Sequence, residues 1–99
     1  DINTGAFGAG ALEVDDFQAV ASRNNVGHFS LVSGSADWYR ITMGAGNFGY
    51  INLTGVTQFR LRFATGDNDD LSADFLTFYS GDSVTASSRP TLTIEYYVP

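Results

Sequence analysis

A regular alternation of apolar and polar side chains over residues 57–65 constrains the fold of this chain more than any other feature. Three apolar residues alternate there with three polar ones, in the order Gln58, Phe59, Arg60, Leu61, Arg62 and Phe63. A period of two is the period of a β-strand, because successive side chains of a strand point to opposite faces. The segment therefore predicts a strand with its apolar side chains toward a core and its polar side chains toward solvent.

Four other segments show the same period and are predicted to be strands: residues 28–32, 37–43, 74–80 and 91–97. Their predicted inward side chains are Phe29, Leu31, Tyr39, Ile41, Met43, Leu76, Phe78, Leu92, Ile94 and Tyr96. Residues 14–21 differ, because their apolar residues have helical spacing and Asp15 or Asp16 can cap a short helix. Residues 47–53 are predicted to form another helical turn.

Short strands separated by turn-forming residues are typical of antiparallel all-β proteins. We therefore predict an all-β fold, an antiparallel β-sandwich of jelly-roll or immunoglobulin-like type with one or two short helical turns. A chain of 99 residues holds one domain of this kind, so residues 1–99 are expected to form a single module. The chain begins at Asp1 without an initiator methionine, which suggests a processed protein or a module excised from a larger multidomain protein.

The composition narrows the classes of partner. Aromatic residues make up 14% of the chain and charged residues 16%, which excludes a disordered polymer. Eleven acidic residues and five arginines give a net charge of −6, which argues against nucleic acid or an anionic membrane as the main partner. The chain has no cysteine, so disulfides and thiolate metal sites are excluded.

Side chains suited to catalysis are scarce. His28 is the only histidine, and no nucleophile motif accompanies it. Glu13 and Glu95 are the only glutamates, and one small sandwich rarely builds the cleft that glycoside hydrolysis by two carboxylates requires. We therefore expect no enzymatic activity.

An acidic loop at residues 66–74 offers a dense group of hard oxygen ligands, which suit Ca²⁺. The candidate metal ligands are Asp67, Asn68, Asp69, Asp70 and Asp74. The spacing does not match an EF-hand, so backbone carbonyls would complete a structural Ca²⁺ site. The alternative is a solvated hairpin turn in which Asp and Asn bond to the backbone.

The outward faces of the predicted strands carry large aromatic residues among polar ones. The candidate carbohydrate-binding residues are Trp38, Arg40, Gln58, Arg60, Arg62, Phe75, Tyr79, Glu95 and Tyr97. Aromatic rings stack on the C–H faces of pyranoses, while Arg, Gln and Glu bond to sugar hydroxyls. Trp38 and Tyr79 are the predicted stacking platforms. The alternative is that a second sheet or a helix covers this face.

Three segments of the chain resemble the closing half of bacterial extracellular modules of the DNRLRE type. They are TQFRLRF at residues 57–63, DNDDLSADFLTFYSGD at 67–82 and RPTLTIEY at 89–96. Residues 11–22 also resemble the segment that precedes that half. A unit of this length with these motifs is similar to the small carbohydrate-binding modules of family 81, which are attached to metagenomic endoglucanases.

The resemblance implies a non-catalytic β-sandwich from a secreted, extracellular bacterial protein, and we expect the module to be a monomer. It implies binding of β-1,4-glucans, namely cellooligosaccharides, mixed-linkage β-glucan and xyloglucan, and targeting of an attached glycoside hydrolase to plant polysaccharide. The acidic loop resembles the acidic loop of that family, which favours calcium. The alternative function is a structural or adhesive spacer domain of a bacterial surface protein.

Overall fold

A computed structural model describes residues 1–35, 37–65, 70–73 and 75–98. The chain divides into two compact units, Asp1–Ala64 and Thr65–Pro99. In the described residues, short antiparallel strands form two small two-stranded sheets, and the rest is mostly non-helical. The strands are β1 (Ile2–Asn3), β2 (Ser30–Leu31), β3 (Tyr39–Arg40) and β4 (Gln58–Phe59). The predicted β-rich, antiparallel character is confirmed at this level.

The first sheet joins the beginning of the chain to the alternating segment. β1 pairs with β4, with Ile2 opposite Phe59 and Asn3 opposite Gln58. On its other side, Ile2 exchanges backbone hydrogen bonds of 2.9 and 3.1 Å with Arg23. The β1 backbone is thus held on both sides, which is the arrangement of an inner strand.

The second sheet is a hairpin of β2 and β3, in which Leu31 lies opposite Tyr39 and Ser30 opposite Arg40. Both strands are shorter than the predicted segments 28–32 and 37–43. The apolar residues of this hairpin are exposed, so it is a surface element of the unit Asp1–Ala64.

The buried apolar residues of the described chain are Ile2, Phe7 and Val26, all in the unit Asp1–Ala64. The predicted inward residues Phe59, Leu61 and Phe63 are instead 48%, 53% and 56% exposed, so their assignment to the core is wrong. The polar side of this segment faces the first residues of the chain instead. It does so because the Phe7 N–H there donates a hydrogen bond to Gln58 and the Asp1 carboxylate forms an ion pair with Arg60.

Three 3₁₀ helices lie in the described residues, at Val14–Phe17, Ala45–Tyr50 and Ala86–Ser88. The first two confirm the predicted helical turns, although the second begins and ends earlier than predicted. None of the described helices is long and apolar enough to cross a membrane.

The capping residue of the first helix differs from the prediction. Glu13 is the N-cap, and Asp15 and Asp16 lie inside the helix. The Asp16 carboxylate accepts a hydrogen bond of 2.8 Å from the Glu13 backbone N–H, which satisfies a donor at the helix start. The apolar residues Phe17 and Val20 are exposed, so this helix does not add to the core.

Within the described part of the segments 74–80 and 91–97, the structure has no regular strand, contrary to the sequence prediction. A strand requires a hydrogen-bonded neighbour. The described hydrogen bonds of residues 75–98 join residues at most six positions apart, as in Arg89 Nε to the Ser83 carbonyl. These bonds form turns and a helical turn, and they supply no ladder.

Candidate functional site

Trp38, the only tryptophan of the chain, lies at the end of the loop between β2 and β3. Its residue surface is 42% exposed, as predicted, but Tyr39, which the alternation predicted to face inward, is 53% exposed as well. The Val32 N–H donates to the Trp38 carbonyl at 2.7 Å, which extends the hairpin pairing beyond Leu31 and Tyr39. The indole is therefore presented from a hydrogen-bonded part of the backbone.

Arg40 follows two residues later in β3 and is also exposed. Because side chains two residues apart in an extended chain point to the same side, Trp38 and Arg40 share a face of the hairpin. Ser30, opposite Arg40, adds a hydroxyl to this face. We call Ser30, Trp38 and Arg40 the hairpin face. It offers an aromatic surface beside a guanidinium and a hydroxyl, a combination that suits a ring carrying hydroxyl groups.

The loop that leads to Trp38 turns at Gly34, where the Ser35 N–H donates to the Val32 carbonyl at 3.0 Å. Gly34 has a φ of +78°, the conformation that a type II turn requires at its third residue and that glycine adopts without strain. The Ser35 hydroxyl oxygen then accepts from the backbone N–H groups of Asp37 and Trp38, at 3.4 and 3.2 Å.

Arg60 was predicted to face a sugar, but its guanidinium is bound within the chain. Its side chain is only 13% exposed, and Nη2 lies 2.8 Å from Oδ2 of Asp1. Nη1 donates to the backbone carbonyls of Asp16, Phe17 and Ala19, at 2.9, 3.2 and 2.7 Å. The guanidinium also lies 4.5 Å from the ring centroid of Phe7, a cation–π contact. In this arrangement Arg60 stabilises the fold.

Gln58 and Arg62 also bond toward the beginning of the chain. The Gln58 Oε1 accepts from the Phe7 N–H at 2.8 Å, and Arg62 Nε lies 2.8 Å from Oδ2 of Asp1. Arg62 remains 45% exposed, so part of its guanidinium is still accessible.

The amino group of Asp1 lies in the same cluster and donates to the Arg60 carbonyl at 3.0 Å. Burial, with the positive charges of Arg60 and Arg62, lowers the pKa of this amino group. The cluster thus brings two guanidinium groups to one buried carboxylate, that of Asp1.

The remaining candidate sugar contacts belong to the unit Thr65–Pro99, and all of them are exposed: Phe75, Tyr79, Glu95 and Tyr97.

The clearest local structure in this unit surrounds the turn at residues 80–83. The Ser80 hydroxyl donates to the Asp82 carboxylate, and this bond lowers the pKa of Asp82.

The predicted calcium ligands Asp67, Asn68, Asp69 and Asp74 lie outside the described residues. Asp70 is described, and its carboxylate accepts a hydrogen bond of 2.7 Å from the Ser72 N–H, as in an Asx-turn. Among the described residues, no group of three or more His, Cys, Asp or Glu side chains is placed to hold a metal ion.

Sequence reasoning missed three residues of these arrangements. Asp1 is the carboxylate between Arg60 and Arg62, and Asn25 contributes its N–H to Asp1 Oδ1 at 3.1 Å. No local pattern indicates such a contact. Ser35 could have been found, because the sequence Ser33-Gly34-Ser35 is a typical turn in which a hydroxyl bonds to the following backbone.

No family description matches the chain, and neither a curated protein nor a solved structure is significantly similar to it.

Proposed function

We propose that the chain is a non-catalytic carbohydrate-binding module that binds β-1,4-glucans. Cellooligosaccharides, mixed-linkage β-glucan and xyloglucan are its ligands, and in its parent protein it targets a glycoside hydrolase to plant polysaccharide outside the bacterial cell. The proposed fold is a single antiparallel β-sandwich over residues 1–99. The proposal is supported by the resemblance to family 81 and by the hairpin face.

The hairpin face is the observation that carries this proposal. Trp38 is exposed yet held by backbone hydrogen bonds on both sides, to Val32 and to Ser35. Among the described residues, the neighbouring Arg40 side chain has no hydrogen-bond or ion-pair partner. A rigid aromatic surface beside a free guanidinium binds a polar ring at low conformational cost.

The structure changes which residues are the strongest candidates for sugar contact. Arg60 donates to Asp1 and to three carbonyls, so it supports the fold and the proposal does not depend on it. Trp38 and Arg40 remain the primary candidates, with Arg62 as a further donor. The aromatic residues of the other unit, Phe75, Tyr79 and Tyr97, with Glu95, remain predicted contacts.

Affinity electrophoresis in gels that contain hydroxyethylcellulose or xyloglucan tests the proposal. The unmutated chain is expected to be retarded, and Trp38→Ala to lose about tenfold in affinity, because one stacked ring contributes about 1.4 kcal/mol. Phe48→Ala is the matched control, since Phe48 is an aromatic residue outside the proposed site whose exposure, 53%, is comparable with the 42% of Trp38. Equal retardation of Trp38→Ala and the unmutated chain would remove Trp38 from the site.

A structural Ca²⁺ at Asp67, Asn68, Asp69, Asp70 and Asp74 is part of the proposal. Four of these residues are carboxylates within eight positions of the chain, and a cation offsets their repulsion. Added Ca²⁺ is expected to raise the melting temperature, and a chelator to lower it again. An unchanged melting temperature would exclude a structural ion at this loop.

A spacer or adhesive domain is the second candidate, and one observation favours it. Phe59, Leu61 and Phe63 form an exposed apolar row in the unit Asp1–Ala64, and exposed apolar surface of this kind is common where domains pack together. Tandem copies of the module in the parent protein would favour this function, whereas one copy beside a glycosidase domain would favour glucan binding.

A further inference from the structure

Several hydrogen bonds join the described residues of the loop between β2 and β3. Val32 donates to the Trp38 carbonyl and accepts from the Ser35 N–H, which closes the loop at its base and at its turn. Ser35 adds a third connection through its hydroxyl, which accepts from the Trp38 N–H at 3.2 Å. Both polar groups of the Trp38 backbone are thereby occupied within this one loop.

We propose that Ser35 is a positioning residue that sets the orientation of the Trp38 indole for stacking on a sugar ring. The inference rests on the proposed function of the hairpin face. Ser35 itself is half-buried, and its hydroxyl bonds to the backbone of Trp38, so it acts through that backbone. Its side chain also accepts from the Asp37 N–H at 3.4 Å, so the two residues before β3 are held together.

The physical reason lies in the cost of ordering a side chain on binding. An indole on a mobile loop must lose backbone freedom when it stacks on a ligand, and this loss subtracts from the affinity. A loop whose last two N–H groups are already bonded to Ser35 has lost that freedom on folding. Removal of the hydroxyl therefore weakens binding although the indole remains.

The sequence supplies a matched control in the same turn. Ser33 is exposed, and among the described residues its hydroxyl has no hydrogen-bond partner. Ser33→Ala thus makes the same chemical change two residues away without affecting the backbone of Trp38. Ser35→Thr retains the hydroxyl and tests rescue.

The experiment combines two measurements on the same variants. Affinity for hydroxyethylcellulose is expected to fall about threefold to tenfold in Ser35→Ala, as expected for the loss of one hydrogen bond, and to be unchanged in Ser33→Ala. Fluorescence anisotropy of Trp38, the only tryptophan, is expected to fall in Ser35→Ala and to return in Ser35→Thr. The melting temperatures of Ser35→Ala and Ser33→Ala show whether the fold is retained.

The two measurements separate this inference from the function on which it rests. A Ser35→Ala chain with the anisotropy and affinity of the unmutated chain would overturn the positioning role. If the unmutated chain binds no glucan, the proposed function is overturned, and the claim that Ser35 holds Trp38 is then decided by the anisotropy alone. A fall in anisotropy without a fall in affinity would exclude Ser35 from sugar binding.

Discussion

The two units of the chain differ in how far along the sequence their hydrogen bonds reach. In the unit Asp1–Ala64, the Arg60 guanidinium bonds to Asp1, 59 positions away, and the Thr4 hydroxyl bonds to the Tyr50 carbonyl, 46 positions away. In residues 75–98, the described bonds span at most six positions. Long-range bonds fix distant segments against each other, whereas local bonds form only turns. Trp38 thus lies in the unit with the more extensive framework.

The two units also differ in charge. Residues 1–64 carry five acidic and four basic side chains, whereas residues 65–99 carry six acidic side chains and one arginine. In the first unit, Arg60 and Arg62 lie within 2.8 Å of the Asp1 carboxylate. The acidic excess of the chain therefore belongs to the second unit, where the calcium site is proposed. The following substitutions test the contrast in matched pairs.

The largest expected effect is that of Ile2→Ala, because Ile2 is fully buried at 0% exposure. The lost methyl groups and the resulting cavity are expected to lower the free energy of unfolding by about 3 kcal/mol. Ile94→Ala in the second unit, where Ile94 is 64% exposed, is expected to cost less than about 0.5 kcal/mol. Urea unfolding followed by circular dichroism measures both, and equal losses would show that Ile94 packs in a core.

Arg60→Ala is expected to lower the free energy of unfolding by about 2 kcal/mol, because it leaves the buried Asp1 carboxylate with Arg62 as its remaining arginine partner. Arg89→Ala is the matched change, since exposed Arg89 donates to one carbonyl, that of Ser83, at 2.7 Å. A loss below about 0.5 kcal/mol is expected for Arg89→Ala. If Arg60→Ala has no effect on stability but reduces glucan affinity, the assignment of Arg60 to the fold is wrong.

Gly34→Ala is expected to cost about 1 kcal/mol, because a residue with a side chain is strained at the positive φ of this turn. Apart from its chain neighbours, no atom lies within 4 Å of a Cβ added at Gly34 or at Gly81, so the comparison isolates the backbone effect. Gly81 does not have a positive φ, and Gly81→Ala is expected to leave stability unchanged or slightly raised. Thermal unfolding compares the pair, and similar melting temperatures would contradict a strained turn.

The smallest expected effect is a pH dependence from the Asp1 amino group of the 99-residue chain. The fold lowers its pKa from 8.0, so the unfolded chain binds more protons between the lowered pKa and 8.0. Stability is therefore expected to rise with pH through this window and to be lower below it. Acetylation of the amino group removes the titration, and a slope that survives acetylation would have another origin.

Local features of the fold could be predicted from the sequence. The helical turns near residues 14 and 47 were confirmed, as was the antiparallel, β-rich character, for which the predicted segments 28–32 and 37–43 supply one pair of strands. These features depend on residues a few positions apart, so their patterns are visible in one stretch of chain.

The buried side of residues 57–65 could not be predicted in the same way. Alternation identified two faces, and hydrophobicity favoured Phe59, Leu61 and Phe63 as the inner one. The structure instead orients Gln58 and Arg60 toward Phe7 and Asp1, which supply the carboxylate and the N–H that these side chains require. The sequence near residue 60 gives no indication that the partner of Arg60 is Asp1.

By itself, the sequence determined the small size, the excess of acidic over basic residues, the abundance of aromatic residues and the turn-separated segments of alternating polarity. Tertiary structure alone decided that one arginine of the alternating segment supports the fold while Arg40 remains available on the hairpin face. The physical reason is that a guanidinium forms hydrogen bonds with the carboxylate and carbonyl groups that the folded chain brings within hydrogen-bond distance. For Arg60 those groups come from Asp1 and from residues 16–19.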